Sequence, residues 1–519
     1  MNKGRLVGAV VALALMAGTS GCTAASSASG AQQSTGKPVL TIGMQETGAN
    51  LNPAVNVGGA PMYSLSYAAI THLNPDGTVA PGLATSWHYI GTGNLNFQFT
   101  LREGARFSDG TPVTADAVKT YLNYFAQAKG PFASDIVLKS ITTVGKWTVI
   151  LHLGTPNPDL PFLLSEVVNV GYVSSPRAEA HPSVLSTQTD GAGPYQAVPS
   201  QTIAGSQYVF VPNKYYFDPS AIRFSKVIVK IITQSSTMLE AMRTGQVNVG
   251  QGDITTASAA KAAGLNVISS TYGWDGILFL DRGMALPNGK TPDPLASVQV
   301  RQALNYAVDR NAITKGILGK YGIPTSEAPT VDGFDPAYQN YYPYNPAKAK
   351  ALLAVAGYPA GFTINVADQT FFGTLGDPVL EAMAKYLSAV GVRLNITQSS
   401  SLDQWLPNFE NGTYSATGFT QEPFVPMYQF YHFYLSPGGI ANQHGWHDPV
   451  LDKLWQQGAA ATPKASSAYW QEMSRRVVTQ ADEVPVFEDN TFWYTAKDIG
   501  GVAFSSANSA PLPTEWYIK

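Results

Sequence analysis

The sequence predicts an α/β chain with mixed sheets, divided into at least two lobes. Three observations carry that expectation. Segments with period-two patterning alternate with segments whose apolar residues recur at helical spacing. The body that follows residue 37 is far longer than the ~250–300 residues at which one hydrophobic core stops growing. No repeat of fixed period runs through the chain, so a stacked-repeat architecture is not indicated.

The N-terminus has an organisation of its own. Lys3 and Arg5 precede a short apolar run from Leu6 to Ala17, and small residues follow as far as Gly21. That order is the pattern of a secretory signal peptide, expected over 1–21. The run is too short for a membrane-spanning helix, which needs about 20 apolar residues. Cys22 is the only cysteine of the chain, so no intramolecular disulfide can form. The stretch Thr19-Ser20-Gly21-Cys22 resembles a bacterial lipoprotein box, with Thr19 where that family usually has Leu. The resemblance implies a lipid on Cys22; the alternative is cleavage nearby and release of an unanchored protein. Thr23 to Lys37 is almost wholly Ala, Ser, Gly, Thr and Gln, which reads as a flexible tether. Residues 22–37 are therefore lipidated Cys and linker, and the folded body is expected from Pro38.

Elements follow in order. Asn96 to Arg102 alternates apolar and polar residues as a half-buried strand does, and Trp147 to Leu153 repeats the pattern. Between them Asp109-Gly110 marks a turn, and Thr114 can cap a helix with Val118, Tyr121, Leu122 and Phe125 on one face. Val227 to Ile232 is a nearly continuous apolar run, expected to be buried on both faces. Val300, Ala303, Leu304, Ala307 and Val308 fall at helical spacing. Asn345-Pro346 opens a helix that stops at Gly357. Asp377-Pro378 opens another that ends at Gly391 and hands over to the alternating strand from Val392 to Ile396.

Composition narrows the function. Charged residues make up 13% of the chain and the net charge is −3. No basic stripe offers a phosphate-neutralising face, which argues against a nucleic-acid partner. Zinc-protease, nucleophile-elbow and phosphate-loop signatures are all missing from the sequence. The sole cysteine stands at the anchor and cannot be a buried nucleophile. Scattered carboxylates leave a hydrolase formally open. His432, His444 and His447, with Asp448 beside the last, form the one cluster that suggests a divalent metal; packing or surface roles are the ordinary reading. No cofactor is expected.

A series of landmarks then runs along nearly the whole body. Pro81 to Trp87 leads into Phe99 to Val118, which contains Glu103-Gly104-Ala105-Arg106-Phe107-Ser108-Asp109-Gly110-Thr111-Pro112. Gly191-Ala192-Gly193-Pro194-Tyr195 and Asn213-Lys214-Tyr215-Tyr216 follow, then Val300 to Arg310, then Tyr344 to Leu353 with Ala356-Gly357-Tyr358. In this order the segments resemble the family 5 solute-binding proteins, receptors of oligopeptide, dipeptide and nickel-type ABC importers. The landmarks themselves are turns, capped helices and corners, and so belong to the scaffold.

The resemblance implies a two-lobed, type II-like clamshell with an extra inserted domain. Lobe I would combine 38–56, 190–283 and 495–519; the extra domain would occupy 57–189, and lobe II 284–494. Crossings near Leu280–Arg282 and Tyr494–Lys497 would form the hinge, and ligand would bind between the lobes. Peptide-binding members hold the ligand's ammonium with an Asp that ends a Gly-Trp-type segment. Here the similar stretch is Gly418-Phe419-Thr420-Gln421-Glu422, with Glu422 at the Asp position and Phe419 at the aromatic one. The main chain of Gly418 and Thr420 would pair with the peptide. Trp405 resembles a tryptophan that lines the family's cleft. Glu46, opening Glu46-Thr47-Gly48-Ala49-Asn50, would supply contacts from the other lobe, and Trp446 is a further candidate in a Gly-flanked loop. The implied partners are a short peptide, an ABC permease and, through Cys22, the outer face of the cell membrane, with the receptor a monomer. A sugar, metal chelate or other small metabolite is the alternative ligand, since fold does not fix ligand.

Overall fold

Alternation decides the strands of the first sheet. In the computed structural model Asn96–Leu101 and Thr148–Leu153 each bury every second residue, with Phe97, Phe99, Val149 and Leu151 turned to one side. They form the centre of a four-stranded antiparallel sheet with Ala84–Tyr89 and Leu138–Val144. The helix Ala115–Ala128 covers it with Val118, Tyr121, Leu122 and Phe125, and the Thr114 hydroxyl accepts from the Ala117 N–H at 3.2 Å. The described residues are 36–519 without 46–49, 57–59, 129, 131, 134–135, 281, 283–292, 331, 369–375, 400–403, 406, 408–413, 422–425, 438, 440–441, 443–444 and 506–509. The signal-peptide and Cys22 expectations lie outside them, as do Glu46, Glu422 and His444. Pro38–Lys519 is one contiguous unit. Among the described residues no helix is long and apolar enough to cross a membrane.

A second, larger sheet spans the rest. Its strand order is Val392–Gln398, Phe362–Asp368, Ala416–Gln421, Asn266–Phe279, Glu483–Thr495, Val249–Gly252, Val39–Met44, Lys226–Ile231, Gln207–Pro212 and Tyr195–Ala197. Parallel and antiparallel pairs mix, as expected: Val39–Met44 lies parallel to Lys226–Ile231, which lies antiparallel to Gln207–Pro212. The Lys226–Ile231 strand differs from its sequence expectation. Val227 and Val229 are fully buried, but Ile228 and Ile231 are only half covered. Lys226 and Lys230 share the Ile228 face, and a lysine keeps its ammonium in water while its stem lies on apolar surface.

Helices end where local chemistry stops them. Val298–Ala307 gives way at Val308 to extended backbone, and Asp309 then caps Arg310–Ile317 by accepting from the Ala312 N–H at 3.0 Å. Asn345 caps Pro346–Val355 through the Lys348 N–H at 2.9 Å, and the chain leaves through Gly357 at φ +92°, a left-handed conformation that favours glycine. Gly376–Ser388 leads through Gly391 into Val392–Gln398.

Two long strands join the cores. Asn266–Phe279 and Glu483–Thr495 pair antiparallel from Asn266 opposite Thr495 to Leu278 opposite Glu483, with register shifts at Thr271/Gly273 and Asp275/Gly276. At one end Phe492 and Tyr494 pack with Met238 and Val247; at the other Ile277, Phe279, Val484 and Phe487 pack with Val366 and Leu380. The change of core thus falls within the strands. The crossings expected at 280–282 and 494–497 stand at or just beyond their ends.

Candidate functional site

The strand Ala416–Gln421 carries three of the residues expected at the ligand site. Gly418 stands opposite Ile277, Phe419 opposite Gly276 and Thr420 opposite Asp275 on one crossing strand. Its other edge meets Phe362–Asp368 only at Ala416 and Thr417. From Gly418 to Gln421 that edge has no ladder partner among the described residues. Such an edge presents main-chain N–H and C=O groups that an extended chain can pair with.

The two faces of this strand differ. A Cβ at Gly418 would meet Leu380 Cδ1 at 2.6 Å and Asp368 Oδ1 at 3.1 Å, so glycine is what lets the helix and Asp368 approach. Phe419 turns the other way and is 7% exposed, 5.6 Å from the Trp274 ring and 5.1 Å from Tyr434. Trp405, 4% exposed, belongs to the same apolar cluster and donates its indole N–H to Thr417 Oγ1 at 3.2 Å. Both aromatics therefore back the strand from within the core. Trp446 is half-buried beneath the Arg282 guanidinium at 4.7 Å, and its carbonyl accepts from Asn442.

The two described histidines of the expected cluster have different surroundings. His447 is exposed, with Nδ1 3.4 Å from Asp452, while His432 is half-buried and its pKa is lowered by burial. Asp448 is committed elsewhere: it caps Pro449–Ala460 and receives the Arg476 Nε–H at 2.6 Å. Among the described residues no group of three or more His, Cys, Asp or Glu stands together as a metal site.

Sequence reasoning missed the acids that flank the strand. Asp275, Asp368, Gly276, Gly418 and Thr420 line one small cavity against Val379 and Leu380. The Thr420 hydroxyl donates to Asp275 Oδ1 at 2.5 Å. Burial, and then the nearby Asp489 carboxylate, push the Asp275 pKa well up. Burial raises Asp489 to about 7, against a hydrogen bond from the Asn490 N–H. The available signal was Trp274-Asp275-Gly276, one acid inside an otherwise apolar run.

Other acids share that fate, which sets a pH dependence. Burial raises Glu327 to about 7 and Asp332 to about 6; burial and then Asp482 raise Glu483 to about 8. An acid whose folded pKa is raised holds its proton more tightly folded than unfolded. Its contribution is complete below the unfolded value of about 4 and is lost as pH climbs through the folded value. Thermal unfolding is therefore expected at a higher temperature near about pH 5 than near about pH 8. A flat or opposite profile would show these acids to be ionised and paired in solution.

The family model for bacterial extracellular solute-binding proteins, family 5, matches residues 78–441. The probable D,D-dipeptide-binding periplasmic protein DdpA of Escherichia coli is 25% identical over 500 residues, covering 90% of this chain and 92% of that one. The structure of AgaA from A. tumefaciens in complex with agropinic acid superposes with a TM-score of 0.77 at 21% identity, covering 93% of this chain and 99% of that one. A dipeptide-binding protein of a Pseudoalteromonas species in complex with Met-Leu gives 0.74 at 18%, covering 93% and 100%. These likenesses establish the two-lobed α/β fold that the sequence implies. With the model matching well over half its length, the chain belongs to the bacterial extracellular solute-binding proteins of family 5.

Proposed function

We propose that this solute-binding protein is the extracytoplasmic receptor of an ABC importer and captures short peptides between its lobes. The observation that supports the ligand is the edge from Gly418 to Gln421, which has no ladder partner among the described residues and whose main-chain groups can receive an extended chain. Reading a peptide by its backbone leaves side chains to hydrated surroundings and so tolerates varied sequences. Glu422, next along the chain, supplies the anion for the amino terminus. Glu46 belongs to the facing lobe, and Trp446 borders the cleft. The lobes follow the assignment 38–56, 190–283 and 495–519 against 284–494, with 57–189 as the inserted domain, except that the exchange falls within the two crossing strands, and closure bends those strands. A lipid on Cys22 holds the monomeric receptor at the membrane beside its permease. D,D-dipeptide in the name of one relative and Met-Leu in one solved structure support this ligand class; agropinic acid in another keeps a non-peptide metabolite as the second reading.

Native mass spectrometry on the form starting at Thr23, purified without added ligand, tests it. A ladder of peptide masses above the bare protein is the expected result. A single sugar-derived or metal-containing mass would overturn the peptide assignment and leave the receptor role standing.

A further inference from the structure

The two crossing strands hold more carboxyl groups than their packing explains. Asp275 stands opposite Phe487 in a regular stretch of the pairing, so Asp489 lies diagonally across from it on the same face. Thr420 is its partner on the other side. Asp275 is 2% exposed, and while Oδ1 accepts from Thr420, Oδ2 is buried without a hydrogen bond. Among the described residues neither Asp275 nor Asp489 takes part in an ion pair, and the charge that acts on Asp275 is Asp489, an anion.

Hydrogen bonds within the chain account for two oxygens of the four, Asp275 Oδ1 through Thr420 and Asp489 Oδ1 through the Asn490 N–H. Two like charges this close, out of water, cost several kcal/mol unless a proton or a cation joins them. Apolar side chains would fill the same space at lower cost, as Ile277 and Phe279 do further along the strand. No metal-holding group assembles among the described residues, so a bare divalent ion does not fit. An organic cation does. Ammonium and guanidinium groups carry several N–H donors, which match carboxylate oxygens that still lack partners. Asp489 is half-buried, and Asp275 lines a small cavity together with Gly418 and Thr420 of the neighbouring strand.

We propose that Asp275 and Asp489, with Thr420 orienting the first, form a subsite for a cationic group of the captured ligand, a guanidinium or a primary ammonium carried on a side chain. This rests on the receptor reading above and adds to it a preference for basic ligands, separate from the amino-terminal contact of Glu422. Because both carboxylates sit on the strands that join the two cores, a cation held there touches the part of the molecule that must bend on closure.

The test compares isosteres on the purified, cargo-free receptor by titration calorimetry. Ala-Arg-Ala is set against Ala-citrulline-Ala, and free arginine against free citrulline; each pair differs by a charged guanidinium for a neutral urea. The charged member is expected to bind about 30-fold or more tightly, the scale for a charge pair formed out of water. In Asp275→Asn and in Asp489→Asn the ratio within each pair should fall towards one. The second position is half-exposed and keeps the test available should the first variant fold poorly. Equal binding of both members by the unaltered receptor, a ratio that survives both substitutions, or no binding of any of the four probes overturns the subsite. Discrimination between arginine and citrulline with no binding of either tripeptide sustains it and overturns the peptide reading instead.

Discussion

Arg310→Ala is expected to destabilise the folded chain by about 3–5 kcal/mol, the scale for stripping partners from a buried charged hub. The Arg310 guanidinium is 5% exposed and, among the described residues, forms no ion pair. It donates to the carbonyls of Pro485 at 2.7 Å, Thr325 at 2.9 Å, Asn305 at 2.9 Å and Tyr342 at 3.3 Å, and to Asn305 Oδ1 at 2.6 Å. Burial pulls its pKa down to about 9, yet it stays protonated at neutral pH. These bonds tie a helix end, two loops and the crossing strand Glu483–Thr495 to one planar fork. Removing it strands buried acceptors, each costing about 1–3 kcal/mol when unmade, with partial recovery by relaxation and water. Chemical denaturation followed by tryptophan fluorescence measures the loss. Arg310→Lys should recover only part, since an ammonium keeps the charge and loses the fork. A change below about 1 kcal/mol for Arg310→Ala would mean that water replaces the guanidinium without strain.

That hub shows where sequence reasoning stops. The stretch Val300–Arg310 reads as an amphipathic helix because Val300, Ala303, Leu304 and Ala307 recur at helical spacing, and all four are buried. The same periodicity has no means of placing Arg301 and Arg310 in the interior. Their partners lie far away: Pro485 is 175 residues from Arg310, and Asp482, 3.2 Å from Arg301, is 181 residues away. Strands with one buried face, such as Asn96–Leu101, were legible because alternation is a local property. The Lys226–Ile231 strand was legible as a strand but misjudged in coverage, since Lys226 before the apolar run and Lys230 within it share its second face. At the candidate site, Gly418–Thr420 is proposed through its resemblance to a known segment. Asp275 could not, because its meaning depends on Thr420, 145 residues on, and on a strand later still.

Glu422→Gln is expected to weaken capture of a peptide with a free amino terminus by about 2–5 kcal/mol, the range for truncating one partner of a buried charge pair. Gln keeps the shape and an acceptor oxygen and removes only the charge, so the loss reports the ammonium contact. N-acetylation of the peptide should cost the unaltered receptor a similar amount and should cost the Glu422→Gln receptor little more, because the partner is already gone. Glu422 carries one methylene more than the Asp of the resembling segment, so Glu422→Asp need not be harmless. Unchanged affinity in Glu422→Gln, with full sensitivity to N-acetylation retained, would remove Glu422 from the site. The Asp275–Asp489 pair would then be an anionic partner left for an amino terminus, and a neutral tripeptide would lose affinity in Asp275→Asn. If instead Glu422→Gln weakens every free-amine peptide alike while Asp275→Asn weakens only the arginine-bearing one, the cleft reads two positive charges at two places. Backbone pairing along Gly418–Gln421 would set the spacing between them.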